Sequence, residues 1–221
     1  MIPKRIICTH IARNILSPKL KYCLDLMHDL HPTWEHLFYS DGDCRDFIQI
    51  NYPEYLELYN WYPRPVLKAD LFRLLAVHQL GGFYLDTDFM MKEPLDELCG
   101  FRAVFAWEHE IDDREFDLRY PPWVRTREEK LTVANYAFGA GAGHPFISAI
   151  VDEIIRRTES FEEENCTDLD ILHATGPDVV TSVYYRHREQ WNDVVLLKAS
   201  RAGLGKHGLH LVNGFWRQYD S

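Results

Sequence analysis

The sequence predicts an α/β fold, one domain built on a mostly parallel central sheet. Three observations predict it. Short apolar runs alternate with segments of helical periodicity. A Gly81-Gly82 break joins the longest helical pattern directly to an apolar run that ends in two aspartates. The chain has 221 residues, 46% of them hydrophobic, enough for one good core but not for two independent ones.

The elements follow in order. Residues 4–9 read as a short buried strand. Ser17 as N-cap and Pro18 in the first turn open a helix. Its apolar face is Leu20, Cys23, Leu24, Met27 and Leu30. Residues 34–40 predict a second strand, closed by the turn residues Asp41, Gly42 and Asp43. Residues 43–62 predict two short helical pieces, divided at Pro53 and stopped by Pro63 and Pro65. Over 66–80, Val66, Leu71, Leu74, Leu75 and Val77 recur at helical spacing until the glycine pair ends the run. A strand over 83–88 then delivers Asp86 and Asp88. Residues 103–107, 133–138 and 194–197 predict further strands, and 144–159 and 177–190 further helices. The charged stretch 108–130 reads as a mobile surface loop. Ligands of such folds bind beyond the carboxyl ends of strands, where the two aspartates fall.

Composition narrows the partners. A formal charge of -10 argues against a general nucleic-acid binder, which needs clustered Lys and Arg. A small partner is expected, and an anionic one would require a local cation or a few placed basic side chains. The five cysteines are scattered, with neither a disulfide framework nor a zinc spacing. They suit a reducing, cytoplasmic compartment. No apolar run approaches a membrane span, and the first residues carry no cleavage pattern. An anchor outside these residues, or peripheral membrane association, stays open.

Asp86-Thr87-Asp88 puts two carboxylates at i and i+2, which on an extended strand share one side. Such like charges are tolerable beside a hard cation, Mn²⁺ or Mg²⁺, which combines one or two carboxylates with phosphate oxygens. Alone the triplet also describes a solvated strand end; the glycine break and the apolar Phe83-Tyr84-Leu85 before it favour a positioned site. Asp70 and Arg73 share a helix face three residues apart and can pair. The helix around them is mostly apolar, so the pair is expected to be buried, for either a structural or a ligand-binding reason.

The stretch from Tyr62-Pro63 through Lys68-Ala69-Asp70 and Arg73, then Leu80-Gly81-Gly82-Phe83-Tyr84-Leu85-Asp86-Thr87-Asp88, resembles the signature of the DXD-motif sugar transferases of glycosyltransferase family 32. That family includes fungal Golgi mannosyltransferases and bacterial capsule transferases, and the clostridial glucosylating toxins share a similar core. The opening 2–7, Asn135, Gly143-His144-Pro145 and Thr175-Gly176-Pro177 resemble its other landmarks. The resemblance implies a single-domain, A-type nucleotide-diphospho-sugar transferase fold. It also implies a retaining transfer of a hexose, from GDP-mannose or a UDP-hexose, to a glycan, lipid or protein acceptor. By position, Asp88 would bind the metal directly, and Asp86 through water, or else the ribose and sugar. Asp70 and Arg73 would hydrogen-bond sugar hydroxyls, and Asn135 the sugar or the acceptor. Thr9 and His10 stand where the base contacts are expected, with His10 in a place often held by an aromatic.

The family's last motif, a His followed at six positions by Trp, is matched by His210 and Trp216. His210 is therefore the candidate third metal ligand, with Asn213 as the substitute, and Trp216 a candidate donor to the β-phosphate. Phe215 departs from the small hydroxyl residue usual before that Trp. Residues 201–208 form a glycine-rich basic loop, read either as a surface connection or as a lid with Lys206 facing the diphosphate. No isolated nucleophile stands out, so attack from the leaving-group face is preferred. Two rivals remain: an aspartate-nucleophile phosphatase, whose motif normally sits on the first strand with small residues after it, and a non-catalytic nucleotide-sugar or glycan-binding module.

Overall fold

The computed structural model describes residues 1–12, 14, 16–110, 114, 117, 131–159, 161, 167–198 and 202–211. Along them run β1 (Arg5–Thr9), α1 (Pro18–Leu30), β2 (Glu35–Tyr39), α2 (Asp41–Asn51), α3 (Leu56–Trp61) and α4 (Pro65–Leu80). Next come β3 (Gly82–Leu85), β4 (Phe89–Met91), β5 (Ala103–Glu110), β6 (Leu131–Val133) and β7 (Ala137–Ala140). The order closes with α5 (Pro145–Thr158), α6 (Asp168–Ala174), α7 (Pro177–Arg186), β8 (Val194–Leu197) and β9 (Gly208–His210).

Seven strands form one sheet in the order β2-β1-β3-β7-β5-β6, with β8 on the other side of β5. The strands β1, β2, β3, β5 and β8 point one way, and β6 and β7 oppose them. The sheet is therefore mostly parallel, as expected. Strand alternation sends side chains to both faces. Ile7, Tyr84, Phe105 and Phe138 join a core with α4, α5 and α7. Ile6, Cys8, Phe83, Leu85 and Val104 join a second core with Met27 of α1 and Phe89 of β4.

Helix α4 lies deepest, with Leu67 and every residue from Asp70 to Val77 buried. Its end meets β1 so closely that glycine is required. Gly81 has φ +66°, and a Cβ there would stand 2.9 Å from Pro3 and from the Ala142 nitrogen. Gly82 has φ +119°, with the Arg5 carbonyl 2.9 Å from a Cβ. Arg5 in turn hydrogen-bonds the terminal carbonyls of Leu80 and Gly81, which satisfies helix-end acceptors and complements the dipole.

Several elements differ from expectation. Asp41, Gly42 and Asp43 do not close a strand with a turn; they open α2, because Ser40 caps it and Asp43 completes a capping box. Pro65 does not stop a helix but begins α4, where a missing N–H costs nothing. The helix expected to reach 190 ends at Arg186, and a 3₁₀ turn, Arg188–Gln190, follows. Helix α6 and the short pair β4-β9 were not foreseen. The strand expected over 133–138 is divided. Val104 faces Gly139, yet Trp107, three residues on, faces Val133, six residues back. Against β5, residues 134–136 thus form a three-residue bulge, although the Ala134 N–H still donates to the Ala106 carbonyl and the Tyr136 carbonyl accepts the Asp86 N–H in register with β3. Of the expected loop, 108–110 continue β5, and most of the remainder lies outside the described residues.

Candidate functional site

Strands β1 and β3 are parallel neighbours, with Ile7 beside Tyr84, so Thr9 and the Asp86 turn emerge at the same carboxyl edge of the sheet. β3 ends at Leu85, one residue before the acid pair. The carboxylates are therefore not set side by side by strand pleating. They converge through a tight turn, in which the Phe89 N–H donates to the Asp86 carbonyl at 2.9 Å. β9 pairs with β4 so that Phe89 faces His210, and this carries His210 across the turn. Its Nε2 lies 3.1 Å from Asp88 Oδ1 and 3.7 Å from Asp86 Oδ2. One ligand atom from each of Asp86, Asp88 and His210 falls within 4.8 Å of the others. Two carboxylates and an imidazole are a donor set suited to a divalent ion such as Mn²⁺. Burial draws the His210 proton affinity down, but the hydrogen bond to Asp88 and the charges of Asp86 and Asp88 outweigh it and raise the pKa.

Behind this trio lies a buried network. Arg73 Nη2 sits 3.1 Å from Asp70 Oδ1 and 3.4 Å from Asp86 Oδ1, tying the helix pair to the motif. Its Nη1 donates to the Asn135 carbonyl at 2.9 Å, and its guanidinium stacks over the Tyr84 ring, 4.8 Å from the centroid. Asp70 accepts from Asn135 Nδ2 at 3.1 Å and from Thr175 Oγ1 at 2.9 Å. Tyr84 donates its hydroxyl to Asp86 Oδ1 at 2.8 Å. Burial pushes the Asp70 carboxyl up to about 6 against the opposing pull of Arg73 and Thr175. Burial also opposes the charge on Arg73, yet Asp86, Tyr84 and Asp70 together hold its pKa above the usual arginine range.

The structure thus brings together Asp70, Arg73, Asp86, Asp88, Asn135 and His210. Thr9 stands at the same edge, its hydroxyl donating to the Tyr39 carbonyl at 3.0 Å. It borders a cavity of about 300 Å³ lined by Asp41, Cys44, Tyr59, Asn60 and Lys68 among others. His10 follows it, with a buried Nδ1 that has no hydrogen-bond partner among the described residues. Lys206 is held by carboxylates, 3.1 Å from Glu93 and 3.2 Å from Glu97. Asn213 and Trp216 lie outside the described residues.

Sequence reasoning missed Tyr84 and Tyr136, and it quoted Thr175 without giving it a role. A signal for Tyr84 existed, since it stands at i−2 from Asp86 at the end of an apolar run. Tyr136 acts from the bulge, which no periodicity marks. The described cysteines, Cys8, Cys23, Cys44 and Cys99, are all free. Among the described residues no helix is long and apolar enough to cross a membrane.

Residues 17–105 match the family described as glycosyltransferase sugar-binding region containing DXD motif. The inositol phosphoceramide mannosyltransferase 3 of Schizosaccharomyces pombe is 29% identical over 171 residues, 75% of this chain and 42% of that protein. The mannosyl phosphorylinositol ceramide synthase CSH1 of Saccharomyces cerevisiae is 24% identical over 87% of this chain and 45% of its own length. The chain thus spans less than half the length of these curated relatives. Among solved structures, the PaToxG glycosyltransferase superposes with a TM-score of 0.55 at 17% identity, over 86% of this chain and 72% of that one. The ligand-free glycosyltransferase domain of the YGT toxin superposes with a TM-score of 0.51 at 12% identity, over 92% and 81%. At such identities these likenesses show the A-type glycosyltransferase fold.

Proposed function

Starting from the match of residues 17–105 to the sugar-binding region with a DXD motif, we propose that the chain moves a hexose from a nucleotide-diphosphate sugar to a hydroxyl acceptor, with retention and with a divalent cation. The observation that carries this reading is the convergence of Asp86, Asp88 and His210 beside the buried Asp70–Arg73 pair. The set holds three carboxylates against one guanidinium and one imidazole. An acid-rich set of this kind suits a cation that in turn binds an anionic diphosphate. Mn²⁺ fits the mixed oxygen and nitrogen donors better than Mg²⁺, which favours oxygen alone. When bound, the ion would supply stabilisation of the charge that develops on the leaving diphosphate.

In this reading Asp88, Asp86 and His210 hold the ion, with Asn213 as substitute for His210. Asp70 and Arg73 orient Asp86 and present their remaining hydrogen-bonding capacity to the sugar hydroxyls. Charge-assisted contacts of that kind are about twice as strong as neutral ones. Asn135 fixes both members of the pair. Thr9, which lines the neighbouring cavity, and His10 after it would meet the nucleoside. Trp216 would donate its indole N–H to the β-phosphate. Lys206 reaches a diphosphate only by leaving Glu93 and Glu97.

The mannosyltransferase relatives support a mannose donor, GDP-mannose before a UDP-hexose, and the ceramide-linked acceptors in their names support a polar lipid headgroup before a protein. The buried, unpaired cysteines support a reducing compartment. A panel of nucleotide sugars with Mn²⁺, read as donor hydrolysis and thermal shift, tests the assignment. One donor should stabilise and be hydrolysed by the native chain and do neither with Asp88→Ala. Tight metal-dependent nucleotide binding with neither hydrolysis nor transfer would convert the reading to a binding module. Release of phosphate from simple esters would convert it to a phosphatase.

A further inference from the structure

Tyr136 lies in the three-residue bulge between β6 and β7, 3% exposed, and meets the ion site twice. Its carbonyl accepts the Asp86 N–H at 2.8 Å. Its ring lies flat on the His210 imidazole, with centroids 4.1 Å apart and planes 11° from parallel. The second contact matters because of how an imidazole binds a cation. Its lone pair lies in the ring plane, so the plane must contain the ion. The backbone of His210 is fixed independently, by pairing with Phe89 and by its N–H to the Ala202 carbonyl at 3.0 Å. The terminal torsion of a histidine is broad, so this anchoring leaves the ring free to turn. A flat aromatic face removes that freedom.

The geometry points to Tyr136 as a positioning residue for the ion site, setting the backbone of Asp86 by a hydrogen bond and the imidazole plane of His210 by stacking. This rests on Asp86, Asp88 and His210 being the ion's ligands. The register jump against β5 thus coincides with the two contacts that matter: Asn135 holds the Asp70–Arg73 pair, and Tyr136 meets Asp86 and His210. The working part is the ring. The Tyr136 hydroxyl meets no side-chain partner among the described residues, and only the Gly203 backbone N–H approaches it, short of a well-formed hydrogen bond, so its removal leaves the stacked ring in place.

Mn²⁺ alone is the probe, titrated into the full chain by calorimetry and followed by pulsed EPR for nitrogen coupling from a bound imidazole. Native protein and Tyr136→Phe should bind with the same affinity and show the same coupling. Tyr136→Leu should bind roughly ten-fold or more weakly, the usual effect of losing a ligand's supporting neighbour, and its nitrogen coupling should vanish or broaden. Tyr136→Met, which fills the space without a flat face, should do likewise and guards against a folding failure of the leucine variant, which circular dichroism would reveal. Native affinity with intact coupling in the Leu or Met variant would overturn the inference, and so would an equal loss in Tyr136→Phe. If His210→Ala leaves affinity and coupling unchanged, the ligand reading beneath it is what fails.

Discussion

Two clusters of buried charge stand in this molecule, and they are built in opposite ways. Between α5 and α7, one carboxylate, Glu153, meets three guanidiniums: Arg157 at 2.9 Å, Arg156 at 2.7 Å and Arg186 at 3.0 Å. At the carboxyl edge of the sheet, three carboxylates, Asp70, Asp86 and Asp88, share one guanidinium, Arg73, and one imidazole, His210. The surplus in the first cluster is positive and reaches water, since the Arg156 side chain is 60% exposed. The second is acid-rich and lies mostly inside, its side chains 4% exposed at Asp70, 13% at Asp88 and 23% at Asp86. The pKa directions follow the chemistry. Burial would raise Glu153, but its three arginine hydrogen bonds hold it far below the usual range. Asp70, with one arginine, goes up. A buried ion pair is weak evidence of function by itself; two carboxylates and an imidazole converging on one point are stronger evidence, because that donor set suits a divalent cation.

The comparison breaks most sharply under substitution. Glu153→Gln removes the shared partner of three arginines and should cost about 3–5 kcal/mol of stability, with Mn²⁺ affinity untouched. Asp88→Asn should do the reverse. It relieves repulsion from Asp86 while giving up the charge-assisted contact with His210, so the metal-free melting temperature should change little, while Mn²⁺ affinity falls roughly a hundred-fold or more, beyond what loss of a mere supporting contact costs. Parallel thermal melts and calorimetric titrations of the two variants decide it; a destabilised Asp88→Asn would erase the contrast.

pH sharpens it further, with opposite signs. Glu153 has a lowered folded pKa, so its contribution is present above the ordinary value of 4.5 and lost as pH falls below it. Asp70 has a raised one, so its contribution is full below 3.8 and lost as pH rises towards about 6. Compared with Asp70→Asn, the native chain should therefore lose relative stability between pH 4 and 6 and level off above. Compared with Glu153→Gln, its advantage should shrink only at acid pH. Denaturant titrations across that range would show two slopes of opposite sign, and slopes of the same sign would refute the pairing.

Smaller effects bound the network. Tyr84→Phe deletes one hydrogen bond to Asp86 and should weaken Mn²⁺ binding by a few-fold, about 1 kcal/mol. Lys206→Ala removes the exposed ion pairs with Glu93 and Glu97 and should leave both Mn²⁺ affinity and stability essentially unchanged. A large loss of ion affinity in the lysine variant would show that the β9 turn depends on Glu93 and Glu97 more than its buried Leu204 and His207 suggest.

How much of this was legible in the sequence depends on how local the signal was. Helix α4, the Gly81-Gly82 break and the strand before Asp86 were readable, because periodicity and glycine chemistry are written within a few residues. The Asp70–Arg73 pair was readable for the same reason. His210 was legible only through the resemblance, since a lone histidine 122 residues after Asp88 has no local mark. The 41–43 segment was misread because turn and helix-start residues are largely the same set, and only the cap geometry separates them. The bulge at 134–136 was invisible: a register shift exists only between strands, and the run from Val133 to Phe138 looks like an uninterrupted strand.

The central claim is that the acidic pair and His210 join nucleotide to protein through a cation. Calorimetric titration of GDP and UDP into metal-free chain, with Mn²⁺ and again with excess EDTA, measures it most directly. Binding at least ten-fold tighter with Mn²⁺ for one of the two, with the gain abolished in Asp88→Asn, is the expected result. Equal affinity with and without the ion would contradict it.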